Sequence, residues 1–560
     1  MHSAALRDDQ SDHPGDGRNP LYYLDNFQRV LAWIADRYAC LLDAREADFI
    51  HRFGALPCAA RALLVRMIMR KGTLFRASKL HYEEIGCPIA AASQLPPDWL
   101  ATDPALDIDS VFALCSRQEV ALAFALPAGT HSRRKGDQLA ALRETCGGPR
   151  PFSAWLGQHA EPLYQVLVQD LCDRLRLIFF GNFRQDWTEL ILSDLGLVRY
   201  EAVAISTASQ GFRSRADVDQ YIALHLAKEA FQNGAAASEV LAQLPTAAFD
   251  NDWLEGRRQR LLFQLGQQLE KQQDWDQALA VYERCRYPGA RARAVRVLEK
   301  TRQFGAAHRL LTTAMRAPES EAERQHLLRI APRLTRQLGL PTTRAPKAPP
   351  VDRLDLHLPR PGPAWWVEGV VRDHLARPDA PVLYVENALI NALFGLLCWR
   401  AIFAPVPGAF FHPYQRGPVD MFSADFTSRR AALFAACLAE LESDAWRATI
   451  RANFENKQGI ASPFVGWDFL DAPLLALALD CIDPRHLRRL FERMLIDLQA
   501  NRSGFPDLIQ FWPAERRYRM IEVKGPGDRL HDNQLRWLDY CARHAIPVTV
   551  CYLQWSGDAD

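Results

Sequence analysis

Seven prolines fall between positions 341 and 363: Pro341, Pro346, Pro349, Pro350, Pro359, Pro361 and Pro363. Proline donates no backbone hydrogen bond and its ring clashes with the preceding helical turn, so no helix runs through such a stretch. The segment 341–363 therefore reads as an extended linker. It separates a long N-terminal part from a C-terminal part, 364–560, and a chain of 560 residues has room for about three or four domains. No run of about 18 uncharged apolar residues occurs, so no membrane span is expected. Met1 to Pro20 is polar and lacks the apolar stretch of a secretory signal. It reads as a disordered tail, 1–20, on a protein of the cytoplasm.

Ahead of the linker the apolar spacing is helical. Leu63, Leu64, Met67 and Ile68 mark one face in the region 21–88. That region also carries Arg61, Arg66, Arg70, Lys71, Arg76 and Lys79, with no acid between Ala55 and Tyr82. A helix with an apolar face and a purely basic face suits a phosphate backbone. The region 89–205 reads as helical, with a basic turn at Arg133-Arg134-Lys135 and an apolar run Leu177-Ile178-Phe179-Phe180 that reads as core. From 206 to 340 the chain suggests stacked helical hairpins. Leu265-Gly266 … Trp275 … Ala278 … Tyr282 is similar to part of a tetratricopeptide unit, and Phe304-Gly305-Ala306-Ala307 is a weaker echo. Arg284, Arg286, Arg291, Arg293 and Arg296 give this part a basic surface. Lys and Arg (67) nearly balance Asp and Glu (66), so nucleic-acid binding must be argued from such segments. Twelve cysteines are scattered without a C-x-x-C pair, which excludes a common zinc-finger pattern.

After the linker, Trp365 to Trp399 reads as helical, with Glu386 amid Leu383, Val385, Leu389 and Ile390. A carboxylate in that company is costly unless paired or bound to metal, or it sits on an exposed helix face. Past about Ala500 the texture changes. Asp507–Trp512 reads as a strand, Pro513–Arg516 as a turn and Tyr518–Lys524 as an alternating strand. A helix from His531 to His544 and a strand from Val548 to Leu553 complete a small α/β unit.

Fifteen residues separate Asp507 from Glu522, a hairpin length that brings two carboxylates to the ends of adjacent antiparallel strands. Two such carboxylates can share a divalent ion, which phosphodiester hydrolysis uses to activate water and neutralise charge. Lys524 projects from the same face as Glu522 and can orient or deprotonate the water. Val523 points away, but its carbonyl remains available as a ligand. An isolated Glu-x-Lys is more often an exposed cross-strand pair.

The context is more specific than that. Pro506-Asp507 … Glu522-Val523-Lys524 carries the PD-(D/E)xK nuclease signature. With Gly504-Phe505 before it, and Gly525-Pro526-Gly527-Asp528 and Gln534 after it, the stretch closely resembles the VRR-NUC branch. Upstream, Tyr384-Val385-Glu386-Asn387, Gly417-Pro418-Val419-Asp420, Asn456-Lys457-Gln458-Gly459-Ile460, Arg70-Lys71-Gly72, Phe179-Phe180-Gly181-Asn182 and Arg199-Tyr200-Glu201 resemble the Fanconi-associated nuclease family. The length suits its bacterial members.

The resemblance implies a multidomain, mainly α-helical protein: an N-terminal helical DNA-binding region, a SAP-like domain, a tetratricopeptide-like domain and a C-terminal α/β PD-(D/E)xK nuclease domain. It implies Mg²⁺ or Mn²⁺, as two ions, held by Glu386 (a helical carboxylate), Asp507, Glu522 and Val523, with Lys524 catalytic and Gln534 beside the metal site. It implies a monomer that cuts DNA 5′ flaps and branched junctions and degrades 5′→3′ in interstrand crosslink repair. One departure stands out: where animal relatives place a basic residue of a 5′-phosphate pocket, this chain has Asn533. The rival readings are a Holliday-junction resolvase, since short VRR-NUC proteins look like resolvases, and a non-catalytic DNA-binding scaffold. The intact Asp507, Glu522 and Lys524 argue against the scaffold.

Overall fold

The computed structural model describes residues 19–124, 134–143, 146–206, 209–341, 350–360, 362 and 366–556. Most of the expected tail, and Arg133, lie outside them. The chain divides into two compact units, Met1–Val198 and Arg199–Asp560.

In the first unit, helices Tyr22–Arg37, Ala44–Ala55 and Cys58–Ile68 build a core from Phe27, Phe49, Phe53, Leu63, Leu64 and Met67. The second helix starts on a capping box: the Asp43 carboxylate accepts from the Glu46 N–H at 2.8 Å, and Glu46 returns the favour at 3.0 Å. Leu177, Ile178, Phe179 and Phe180 are buried on helix Gln169–Phe180, as expected of core. The unit is not wholly helical. Strands Leu74–Arg76, Leu163–Val166 and Leu100–Thr102 form an antiparallel three-stranded sheet. Strands of three or four residues are too short to leave a readable alternation.

The expected basic face is also corrected. The helix ends at Ile68, so Arg70 lies beyond it, donating to the Lys79 carbonyl at 3.1 Å. Arg66 stacks over Tyr23 and pairs with Glu84 at 2.6 Å. Arg76 pairs with both Glu119 and Glu161. Acids from outside the run thus neutralise Arg66 and Arg76.

The second unit begins with stacked helices from Arg215–Gln232 to Glu321–Gln337, each packed on its neighbours. Small residues allow the close approach: Ala278 and Ala307 are fully buried, and a Cβ on Gly266 would sit 2.7 Å from the Tyr282 ring. Three of the five arginines are paired, Arg291 with Glu323 and both Arg293 and Arg296 with Glu270, so the expected basic surface is compensated in part.

A five-stranded sheet follows. Its strands, in spatial order, are Asp352–Pro359, Val548–Ser556, Arg517–Lys524, Leu508–Trp512 and Val382–Tyr384. Two expectations change. Part of the linker is the parallel edge strand Asp352–Pro359, where the terminal proline is tolerated because an edge has unpaired N–H positions. The stretch Trp365–Trp399 is not one helix: it comprises helix Val367–Leu375, strand Val382–Tyr384, a turn and helix Leu389–Leu397. That last helix is buried on every face. Apolar content on all sides hid the change of period.

Gly266→Ala should lower Tm, because the Tyr282 ring lies between packed helices and cannot retreat freely; overpacking of this kind costs about 1–3 kcal/mol. Thermal unfolding checks it, and an unchanged Tm would contradict the tight fit.

Candidate active site

The hairpin register pairs Leu508 with Ile521, which brings Asp507 level with Glu522. On one face of the strand, Ile521 and Val523 join the core with Leu508, Val382 and Cys551. The alternation turns Glu522 and Lys524 to the other face. Both remain buried there: Asp507 is 7%, Glu522 0% and Lys524 7% exposed.

Three buried charges demand partners. Asp507 Oδ2 accepts from the Val523 N–H at 2.8 Å. Glu522 Oε1 lies 2.7 Å from Lys524 Nζ and accepts from Gln534 Nε2 at 2.5 Å. Gln534 is itself oriented, since its Oε1 caps helix Asp532–Arg543 by accepting from the His531 N–H at 2.8 Å. Glu522 Oε2 is closed to water and has no hydrogen-bond partner. After Lys524 the chain leaves the strand by a turn in which the Gly525 N–H donates to the Asp528 carboxylate at 3.0 Å.

Glu386 occupies a different environment from the expected one. It lies on the turn between strand Val382–Tyr384 and helix Leu389–Leu397, not on a helix, and it is exposed. Its carboxylate accepts from the Tyr384 hydroxyl and from Asn387 Nδ2. The turn is tied to the catalytic hairpin. Asn387, at φ 52°, accepts from the Gly504 and Phe505 N–H groups at 2.7 and 3.1 Å, and the Val385 N–H donates to the Asp507 carbonyl at 2.8 Å. Gly504 has φ 93°, and a Cβ there would meet the Asn533 backbone at 2.8 Å. Only glycine lets the segment before Asp507 lie against the glutamine helix.

Glu368, in the first turn of helix Val367–Leu375, escaped the sequence reading. Its neighbour Val367 lies against Gly525, and its negative charge acts on Asp507. No motif marks it; only the fold brings it near.

Burial raises the Asp507 carboxyl to about 6, against the lowering effects of the Val523 N–H and Lys524. Burial and the charge of Asp507 raise Glu522 to about 8, although Lys524 pulls the other way. Among the described residues no three His, Cys, Asp or Glu side chains form a ready-made metal cluster. Glu386 leans on Tyr384, and Glu522 leans on Lys524 and Gln534. The donor set nevertheless fits a hard divalent cation. It offers carboxylate oxygens, and one of them, Glu522 Oε2, is buried without a partner in a space closed to water.

Of the residues expected to contact DNA, Lys71, Lys79 and Arg134 are exposed. Arg66 and Arg76 are held in ion pairs, and Lys135 Nζ donates to the Cys115 carbonyl at 2.6 Å. Arg61 is half-buried, and Arg70 is bonded to Lys79 and Tyr82.

Because burial raises both the Asp507 and the Glu522 carboxyl above the ordinary range, these two groups bind more protons in the folded chain than in the unfolded one. Their contribution to stability is present below about pH 4 and is lost as pH rises through their folded values. Without divalent ions, Tm should therefore fall between about pH 5 and about pH 8.5, and Glu522→Gln should flatten most of that fall. Differential scanning fluorimetry checks it; equal slopes for the two proteins would contradict the assignment.

Three family descriptions match the chain: the FAN1 HTH domain over residues 21–101, the Fanconi anemia-associated nuclease SAP domain over 105–155 and the VRR-NUC domain over 441–555. The Fanconi-associated nuclease 1 homolog of Pseudomonas aeruginosa is 52% identical over 540 residues, spanning 96% of this chain and 97% of that one. The human Fanconi-associated nuclease 1 is 23% identical over 676 residues, spanning 99% of this chain and 64% of its own. The crystal structure of paFAN1 bound to DNA with a two-nucleotide 5′ flap and a gap superposes with a TM-score of 0.91, at 52% identity, over 98% of this chain and all of that one. A VRR-NUC domain implies dependence on a divalent metal. The chain belongs to the Fanconi-associated nuclease family and is a DNA-cleaving hydrolase.

Proposed function

We propose that this nuclease cuts 5′ flaps beside the single-strand/double-strand junction, continues 5′→3′, and serves interstrand crosslink repair on nucleoid DNA in the cytoplasm, as a monomer. The observation that carries the reading is the buried Asp507–Glu522–Lys524–Gln534 cluster, in a chain so similar to a protein crystallised on 5′-flap DNA. The domain division at 88/89 and 205/206 belongs to the same proposal, and the nuclease part takes in strand Asp352–Pro359 together with 364–560.

Asp507 and Glu522 are the residues to hold Mg²⁺ or Mn²⁺, with the Val523 carbonyl and Glu386 completing the set once Glu386 turns from Tyr384. Bound there as two ions, the divalent metal would supply Lewis acidity for activating water and offsetting charge on the scissile phosphate. Lys524 Nζ, paired with Glu522, would then hydrogen-bond the attacking water or a phosphate oxygen and offset the charge developing there. Gln534 holds Glu522 in the orientation that Lys524 requires. The helical parts bind phosphates, so selection follows the shape of the junction rather than its sequence. Arg61, Arg70, Lys71, Lys79 and Arg134 are the proposed contacts in the N-terminal unit.

Asp507→Ala should abolish cleavage of a labelled 5′-flap substrate in Mn²⁺, by at least about a hundredfold, while DNA affinity stays within a few-fold. Cleavage at the wild-type rate would remove Asp507 from the site. Affinity should also fall steeply with salt, since each phosphate contact releases counterions; a flat salt response would contradict a DNA substrate.

A further inference from the structure

We propose that Glu321, with Gln325 and Arg329, positions the active-site helix, so that docking of the helical repeat sets the geometry of catalysis. The three residues are spaced by four and share one stripe of helix Glu321–Gln337, the last helix of the repeat. Each reaches the nuclease part of the chain. Glu321 pairs with Arg493. Gln325 Oε1 accepts from Arg536 at 2.9 Å, and Arg329 donates to Asp532 at 2.7 Å. Asp532 and Arg536 are also four apart, on the helix that carries Gln534 between them. Two polar stripes thus meet in register along the helix that orients Glu522.

The Glu321–Arg493 pair is the element that makes this contact matter. Arg493 is 4% exposed, on helix Pro484–Ile496, and its guanidinium lies 4.8 Å from the Trp537 ring and 4.3 Å from the Tyr540 ring. Both aromatics belong to the glutamine helix. Its Nε has no partner. Glu321 keeps 40% of its side chain exposed, but Arg493 does not, so removing Glu321 leaves a deep cation without its counter-charge. The counter-charge comes from the repeat.

From Arg493 the path to the chemistry is short on both sides. Trp537 Nε1 donates to the Ser503 carbonyl at 3.2 Å, and its ring packs 4.3 Å from Phe505, two residues before Asp507. On the other side, Gln534 donates to Glu522. Both catalytic carboxylates therefore rest on a helix whose buried support is completed by Glu321. The contacts of Glu321, Gln325 and Arg329 go to Arg493, Arg536 and Asp532, so they act on the carboxylates through Gln534 and Trp537.

The proposal rests on the nuclease reading, and the test separates the two. Single-turnover cleavage of 5′-flap DNA in Mn²⁺ is measured at saturating protein, and DNA affinity is measured separately in Ca²⁺. Failure of the wild-type protein to cut would refute the nuclease reading itself. Given wild-type cutting, Glu321→Gln should lower the rate about tenfold or more with affinity within about twofold, because small misplacement costs rate before binding. Glu321→Asp should recover most of the rate. In a Gln534→Ala background, Glu321→Gln should add little further loss, since coupled residues are not additive. Should Glu321→Gln fail to fold, the Gln325→Ala/Arg329→Ala double variant, at a more exposed surface, is read in the same assay with the same expectation. A wild-type rate, a loss of rate matched by a loss of affinity, or full additivity with Gln534→Ala would each overturn it.

Discussion

Two carboxylates buried side by side are the condition around which the rest of the nuclease part is arranged. Asp507 and Glu522 repel each other and lose hydration, which favours their protonated forms, so the charged forms need donors. The Val523 N–H, Lys524 and Gln534 supply those donors. One oxygen, Glu522 Oε2, is left over without a donor, and a hard cation would satisfy it.

Several family-like motifs serve that arrangement without entering it. Glu201 receives Lys457 at 2.8 Å and the Trp399 indole at 3.1 Å, which joins two stretches singled out separately in the sequence. Asp420 binds the fully buried Arg430 through both oxygens, at 2.8 and 3.0 Å. Asn387 and Gly504 lock the Glu386 turn to the strand of Asp507. These residues fix backbone positions; the catalytic groups then need little freedom.

The hairpin was legible because its information is local: alternation, a short turn and two carboxylates at matching ends. Helix Asp532–Arg543 was legible for the same reason, through its apolar period and the position of Gln534. Features that depend on distant partners were not. The acids that neutralise Arg76 lie 43 and 85 residues away. Strand Val382–Tyr384 is three residues long and disappears into an apolar stretch, so Glu386 was placed on a helix when it sits on an exposed turn. Strand Asp352–Pro359 is flanked by prolines that signal a linker, and only its pairing with Val548–Ser556 makes it part of the sheet. Glu368 reaches the site solely through the packing of its helix.

Burial favours the protonated form of Glu522, so a cation that binds this carboxylate would displace a proton. Calorimetric titration of the metal-free protein with Mn²⁺ at pH 7, in buffers of different ionisation enthalpy, counts the protons released. The buried pair predicts release of about one proton per protein, reduced to near zero by Glu522→Gln. Tight Mn²⁺ binding with no proton released by the wild-type protein would contradict it.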